Sequence, residues 1–187
     1  FIVNVVIDAY RRPLKFVAGD QIHAFEEGAA FCREIVIDRV EHPYDIVITS
    51  SAGYPLDTTF YQSVKGMMAA VPIVKPGGTI IVAAGMSEGI GSNEFASLFE
   101  RHRDIDDFMQ AIMSPDYFVM DQWQLEMLAK VLKKAEVKVV TDGLPSETIN
   151  RLFVESAESV ETAVAQAMEK HSPEATVAVI PRGPYVM

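Results

Sequence analysis

Short runs of β-branched and other apolar residues alternate along this chain with longer segments in which apolar residues recur every three or four positions. Four short runs predict strands, at residues 46–50, 79–84, 137–140 and 176–180, and the first two are typical of buried strands of a parallel sheet. Helical spacing marks five longer segments, at about 59–74, 93–101, 104–113, 121–135 and 159–171. This alternation predicts an α/β fold, a Rossmann-like, mostly parallel sheet with helices on both faces.

The first forty residues show a different pattern. Phe1 to Asp8 and Leu14 to Ala18 read as two strands joined by a turn, which predicts an antiparallel hairpin at one edge of the sheet. Asp20 is suited to cap the amino end of a helix that continues to about Ile35. Because no repeat or linker interrupts the chain, we expect residues 1–187 to form a single α/β domain.

Composition narrows the class of protein. With 187 residues and 49% hydrophobic residues, the chain can fill a core without disulfides or metals. A formal net charge of -10 argues against a nucleic-acid partner, and no apolar run reaches the roughly 18 residues that a membrane span needs. Cys32, the single cysteine, indicates a reducing compartment, hence a cytoplasmic location, and is expected to be a buried structural thiol. The chain begins inside a strand without methionine, which favours a piece of a longer protein.

Two groups of residues give only weak functional signals. The loop at 85–92 is rich in glycine and could present backbone N–H groups to a phosphate. It lacks the third glycine of the dinucleotide fingerprint and carries Glu88 and Glu94 beside it, which favours a tight connecting turn. The four histidines show no metal-ligand spacing, and we expect each of them at the surface.

One strand, turn and helix carry a sharper signal. The strand at 46–50 leads through a Gly-Tyr-Pro turn into a helix that contains Gln62 and Lys65. Residues three apart share one face of a helix, and ligands of open α/β sheets bind at the carboxyl ends of the strands. We therefore expect the helix amino end, the lysine ammonium and the glutamine amide to bind a carboxylate-sized anion.

These same residues carry a family resemblance. The stretch 51–57, running into Tyr61-Gln62-Ser-Val-Lys65, resembles the C-terminal domain of the nickel-dependent lactate racemase family. Weaker landmarks of the same family lie at 1–6, 75–79, 88–91, 121–124 and 177–181. The resemblance covers essentially the whole chain but only the second half of a family member, so the N-terminal domain is absent.

The resemblance implies a two-domain racemase or epimerase of 2-hydroxy acids, with its active site in the cleft between the domains. The family uses a nickel pincer cofactor, a pyridinium-derived mononucleotide with thioamide and thiocarboxylate arms, which the N-terminal domain carries. Hydride leaves the carbon that bears the hydroxyl and returns to either face, while two histidines of the N-terminal domain exchange the hydroxyl proton. We expect this chain alone, without cofactor or metal ligands of its own, to be inactive.

The resemblance also assigns roles to four residues. Lys65 and Gln62 match the family's substrate-contacting lysine and glutamine: Lys65 would hold the substrate carboxylate or polarise its oxygen, and Gln62 would orient it. Tyr61 would line the pocket, and Trp123 matches a tryptophan near the substrate, although its helical spacing equally allows a place in the core. Two alternatives remain open: a stand-alone Rossmann-like domain that binds a nucleotide or small anion through residues 85–91, and a docking module without chemistry.

Overall fold

The computed structural model describes residues 1–186 and divides them into two compact units. The first unit comprises Phe1–Arg39 with Val186, and the second comprises Val40–Tyr185. The sequence predicts one domain for the whole chain, and that assignment stays a prediction, since the contacts within the chain form two units. None of the helices within residues 1–186 has the length and hydropathy to cross a membrane.

The first unit is a hairpin with a helix. Strands β1 (Ile2–Ile7) and β2 (Pro13–Gly19) pair antiparallel, as the sequence predicts, and helix α1 spans Gln21–Val36. Asp20 caps α1, because its carboxylate accepts hydrogen bonds from the N–H groups of Ile22 and His23 at 3.0 and 3.1 Å. The expected burial of Cys32 is wrong, since this residue on α1 is only half-buried.

The hairpin forms a two-stranded sheet of its own, so its expected place at the edge of the parallel sheet is wrong. One face of it is apolar and open. Val3 is 65% exposed, Val5 is 47% exposed, and Phe16, the cross-strand partner of Val5, is 69% exposed. Since side chains alternate between the two faces of a strand, these residues share one face of the hairpin.

The second unit is a five-stranded parallel sheet with helices. Its strands are β3 (Tyr44–Ser50), β4 (Val74–Ala83), β5 (Ala135–Val140), β6 (Glu155–Ser156) and β7 (Val177–Ile180). Its helices are α2 (Phe60–Ala70), α3 (Asn93–Arg101), α4 (Ile105–Ala111), α5 (Gln122–Leu132), α6 (Ser146–Asn150) and α7 (Val160–His171). A 3-10 turn at Gly183–Tyr185 follows the last strand. The α/β architecture with a parallel sheet is thus confirmed.

The order of the strands is β6-β5-β4-β3-β7, and every neighbouring pair is parallel. The chain moves outward from β3 through β6 and then returns to place β7 on the other side of β3. The point where the strand order reverses, where open α/β sheets bind ligands, therefore lies at the carboxyl ends of β3 and β7.

The turn expected at residues 75–78 is absorbed into β4, which already begins at Val74. The pairing explains this outcome. Val74 faces Tyr44, and the next pair joins Thr79 to Ile46, so four residues of β4 bulge out opposite one residue of β3. Gly77, with φ of 77°, supplies the left-handed backbone that this bulge needs.

Candidate functional site

The segment that leaves β3 has a tightly fixed backbone. The Ser50 hydroxyl accepts the Ala52 N–H at 3.0 Å and donates to the carbonyl of Pro181 at 2.6 Å, which joins the ends of β3 and β7. Ala52 and Gly53 both have positive φ, 66° and 76°. A left-handed conformation is costly for alanine, by about 1–2 kcal/mol, so the surrounding contacts hold this turn in place.

Helix α2 lies very close to the end of β3. A Cβ built on Gly66 would come within 2.7 Å of the Ser50 carbonyl oxygen, and the Thr49 hydroxyl donates to the Gly66 carbonyl at 3.3 Å. Gly183 also packs closely against Gly66, because a Cβ on Gly183 would lie 3.0 Å from the Gly66 Cα. Glycine at 66 thus allows α2 to approach the end of β3 closely, and this close packing sets the position of Lys65 on the same helix.

Gln62 and Lys65, the donor pair, contact each other on the outer face of α2. Lys65 Nζ donates to Gln62 Oε1 at 2.7 Å. This bond uses one lone pair of Oε1, the only acceptor atom of the pair, and leaves the amide NH₂ of Gln62 and the remaining ammonium protons of Lys65 for other partners. Lys65 is exposed and Gln62 is half-buried, so the pair offers hydrogen-bond donors and one positive charge at the surface.

The helix amino end does not contribute to an anion site in the way the sequence suggests. The N–H groups of Phe60 and Tyr61 donate to the carbonyls of Gly89 and Ile90 at 3.0 and 2.9 Å. The Gln62 N–H donates to the hydroxyl of Thr59 at 3.2 Å. With these donors paired, an anion would be held by side chains. The signal was present in the sequence, since Thr-x-x-Gln at 59–62 has the form of a capping box.

The glycine loop at 85–91 is bound along the segment that precedes α2. The N–H groups of Met86 and Glu88 donate to the carbonyls of Asp57 and Thr58, both at 2.7 Å. The Gly85 N–H donates to the carboxylate of Asp57 at 2.8 Å. Because these N–H groups are paired within the fold, they are unavailable to a phosphate. The loop instead holds the segment before α2 in place through these hydrogen bonds.

Tyr61, which precedes Gln62 on α2, contacts Trp123 of α5. Their rings meet edge-on with centroids 5.8 Å apart, and the Phe95 ring also meets the Tyr61 ring edge-on, with centroids 5.1 Å apart. Trp123 is 48% exposed, which excludes the alternative that it is a core residue. Burial, reinforced by the charge of Asp121, raises the pKa of Tyr61, so its hydroxyl remains a donor at neutral pH.

Gln124 belongs to this region and was missed by the sequence reasoning. It is 1% exposed, and its Nε2 donates to the backbone carbonyl of Tyr61 at 2.6 Å. A usable signal existed, because Gln124 stands four positions before Leu128 and seven before Val131, both on the buried face of α5. A glutamine on that face indicates a buried hydrogen bond.

Two cavities lie near these residues. The first, of about 420 Å³, is lined by Thr59, Tyr61, Glu88, Gly91, Ser92 and Asp121. The second, of about 580 Å³, lies over the carboxyl ends of β3, β4, β5 and β7 and includes Asp57, Asp142 and Arg182. Tyr61 lines the first cavity, whereas Gln62 and Lys65 line neither. The donor pair is thus on an open face of the second unit.

His102 contradicts the expectation that every histidine lies at the surface. It is 9% exposed, its Nδ1 lies 3.1 Å from the Asp107 carboxylate, and its Nε2 lies 2.7 Å from the Tyr117 hydroxyl. The bond to His102 is the main cause that lowers the pKa of Asp107. These contacts hold α4 and the segment after it against the end of α3, away from the donor pair in sequence.

Comparisons with known proteins give a consistent result. A family model described as "Lactate racemase C-terminal domain" matches residues 40–187. The chain is 38% identical over 185 residues to a lactate racemase of Thermoanaerobacterium thermosaccharolyticum, and 35% identical over 189 residues to a lactate racemase of Lactiplantibacillus plantarum. In both alignments 98% of this chain is covered but only 43% of the relative, so the chain spans less than half their length.

Solved structures show the same similarity. The lactate racemase apoprotein of Thermoanaerobacterium thermosaccharolyticum superposes with a TM-score of 0.89 at 35% identity, covering 99% of this chain and 45% of that one. A protein from Thermotoga maritima superposes with a TM-score of 0.66 at 14% identity, covering 98% of this chain and 47% of its own. The second likeness concerns the fold alone.

Proposed function

Because this chain belongs to the lactate racemase family and matches its C-terminal domain, we propose that it is the substrate-contacting domain of a racemase or epimerase of 2-hydroxy acids. The observation that carries the proposal is the donor pair. Lys65 and Gln62 present donors and one positive charge on the helix that follows β3, and Tyr61 of the same helix contacts Trp123. A 2-hydroxy acid offers a carboxylate and a hydroxyl oxygen, which are acceptors of matching charge and size.

The four side chains divide the task of binding. Lys65 would hold the carboxylate or the oxygen at the reacting carbon, and the free NH₂ of Gln62 would orient it by hydrogen bonding. The Tyr61 hydroxyl and the exposed edge of Trp123 would bound the rest of the molecule. Groups arranged in advance in this way stabilise developing charge without reorganising during the reaction.

The nickel pincer cofactor that the family resemblance implies does not fit the residues of this chain. Within residues 1–186, no three His, Cys, Asp or Glu side chains come together as a metal site requires. The donor pair offers an amide and an ammonium, whereas nickel in proteins prefers imidazole and thiolate ligands. We therefore place the cofactor, and the hydride and proton transfers, on the part of the protein outside this chain, and propose that the chain alone does not racemise its substrate.

The N-terminal domain of the complete protein is the proposed partner of this chain. The open apolar face of the hairpin, with Val3, Val5 and Phe16, would suit burial by another domain. Lone apolar residues at a surface are ordinary, but several on one sheet face are not. A cytoplasmic location is part of the proposal, since one cysteine cannot form an internal disulfide.

Replacing Lys65 in the complete, cofactor-loaded protein tests the proposal. We expect Lys65→Ala to lower kcat/KM for racemisation of a 2-hydroxy acid such as lactate by about a hundredfold or more. Its thermal midpoint should not change, because Lys65 is exposed and bonded only to Gln62 among the hydrogen bonds of the described chain. Lys133→Ala, at an exposed lysine of the same unit, is the matched control. Wild-type turnover in Lys65→Ala would refute the site assignment.

A further inference from the structure

Gln124 stands one position after Trp123 in α5 but projects in a different direction. Trp123 is 48% exposed and Gln124 is 1% exposed, as expected for consecutive residues of a helix with 3.6 residues per turn. The Gln124 Nε2 donates to the backbone oxygen of Tyr61 at 2.6 Å. This hydrogen bond joins α5 to α2 across 63 positions of sequence.

The acceptor carbonyl lies in the turn of α2 that carries the donor pair. In an α-helix the N–H of each residue donates to the carbonyl four positions earlier, so the Lys65 N–H is directed at the same Tyr61 oxygen. A carbonyl oxygen has two lone pairs and can accept both bonds. Gln124 therefore binds α2 at the point where the backbone of Lys65 is held.

The ring of Tyr61 contacts Trp123 at the same time, with centroids 5.8 Å apart. Tyr61 thus meets two consecutive residues of α5, one through its ring and one through its carbonyl. A shift of α2 along α5 would break the hydrogen bond and change the ring contact together. The relative position of the two helices is set by this double contact.

The amide oxygen of Gln124 is a second, independent feature that packing alone does not explain. Oε1 is buried and has no hydrogen-bond partner among the described residues. An unpaired buried acceptor is unfavourable for folding, and an apolar side chain of the same shape would avoid that penalty. Packing alone would therefore favour methionine or leucine at position 124, and the bond to Tyr61 accounts for glutamine.

We propose that Gln124 is a positioning residue, which fixes Tyr61, Trp123 and Lys65 relative to one another for substrate binding. The proposal rests on the function proposed above, since it concerns the same site. Gln124 itself is buried behind these side chains and would not touch the substrate. It would act through the backbone of α2 and through the orientation of Trp123.

Trp123 is the only tryptophan of the 187 residues, so its fluorescence reports on the contact directly. In Gln124→Met, we expect acrylamide to quench Trp123 in this chain about twice as effectively as in the wild type. The matched control is Leu128→Met, which changes a fully buried residue of the same helix and leaves the bond to Tyr61 intact. The control should quench like the wild type.

Kinetics of the complete, loaded protein provide the second readout. We expect Gln124→Met to lower kcat/KM about tenfold, mainly through kcat, because a small misplacement of contacting groups slows the reaction. Leu128→Met should leave both constants unchanged. The double variant Gln124→Met with Trp123→Phe should lose less kcat/KM than the product of the two single fold-losses, as expected for residues that act together.

A folded Gln124→Met protein with wild-type quenching and wild-type kcat/KM overturns the proposal, as do fully additive losses in the double variant. If Gln124→Met fails to fold, Gln124→Asn decides by the same measurements, since its shorter amide cannot reach the Tyr61 carbonyl. Failure of the proposed function is recognised separately, because Lys65→Ala would then retain turnover. The quenching comparison requires no turnover, so it still reports whether Gln124 sets the contact between Tyr61 and Trp123.

Discussion

Lys65 Nζ donates to Gln62 Oε1 at 2.7 Å, so the two side chains that face a prospective ligand are already bonded to each other. The bond holds the amide oxygen of Gln62 at the lysine, and the amide NH₂ and the remaining ammonium protons stay available as donors. A carboxylate at this face would accept hydrogen bonds from those donors. Two side chains that are already ordered against each other lower the ordering cost of binding.

Gln62→Glu is expected to separate binding from stability. Gln62 is the third residue of α2, where glutamate is favourable because of the helix dipole, and it would form an ion pair with Lys65. The thermal midpoint should stay the same or rise, while the KM for a 2-hydroxy acid should rise about tenfold or more because the new carboxylate repels the substrate. Gln166→Glu, at an exposed glutamine of α7, is the control for added charge. An unchanged KM in Gln62→Glu would contradict the role of this face.

Gly91→Ala should displace Tyr61, and Gly89→Ala supplies the matched comparison. Both glycines have positive φ, 138° and 87°, but a Cβ at 91 would lie 2.9 Å from the Tyr61 Cβ, whereas nothing lies within 4 Å of a Cβ at 89. Backbone strain alone should cost Gly89→Ala about 1 kcal/mol of unfolding free energy, and Gly91→Ala should lose about 1–3 kcal/mol more. Urea denaturation measures both. Equal losses would show that Tyr61 adapts freely.

The Asp45 carboxylate should make the fold sensitive to acid. Hydrogen bonds from Lys75 and Thr176 hold the pKa of Asp45 far below its usual value of 3.8. A lowered pKa means that the folded state favours the ionised form, so this stabilisation is complete above pH 3.8 and is lost as the pH falls further. The difference in denaturation midpoint between wild type and Asp45→Asn should therefore be constant from pH 7 to about 5 and shrink toward pH 2. A difference that grows on acidification would contradict this linkage.

Nucleotides should not bind to this chain with useful affinity. Three backbone donors of the glycine loop, those of Gly85, Met86 and Glu88, are paired with Asp57 and Thr58. The first two N–H groups of α2 are paired with the carbonyls of residues 89 and 90. Calorimetric titration of the chain with NAD and ATP should give no binding tighter than about 1 mM. Micromolar binding would instead support the alternative of a stand-alone nucleotide-binding domain.

The strands were predictable because their signal is local. Residues 46–50 and 137–140 are rich in β-branched residues, and both lie inside observed strands. The antiparallel pairing of the first two strands followed from their short connection. Their separation into a sheet of their own depends on tertiary contacts, which periodicity does not encode, and so does the bulge that carries residues 75–78 into β4.

The candidate site was predictable in part for the same reason. Gln62 and Lys65 are three apart on one helix, and their contact follows from that spacing. The pairing of Phe60 with Gly89 crosses 29 positions of sequence, and that of Gln124 with Tyr61 crosses 63. Partners at such distances are decided by the fold, which is why the helix amino end looked free and why Gln124 was overlooked.

The return of β7 to the side of β3 has a consequence for synthesis on the ribosome. The first strand of the parallel sheet lacks one neighbour until Val177–Ile180 has emerged, and the contact of Gly183 with Gly66 follows only three residues later. Nearly the whole second unit must therefore leave the exit tunnel before α2 gains its contact with Gly183. Until then β3 exposes an unpaired edge, so chaperone capture or aggregation of the nascent chain should be concentrated in the interval before residues 177–183 appear.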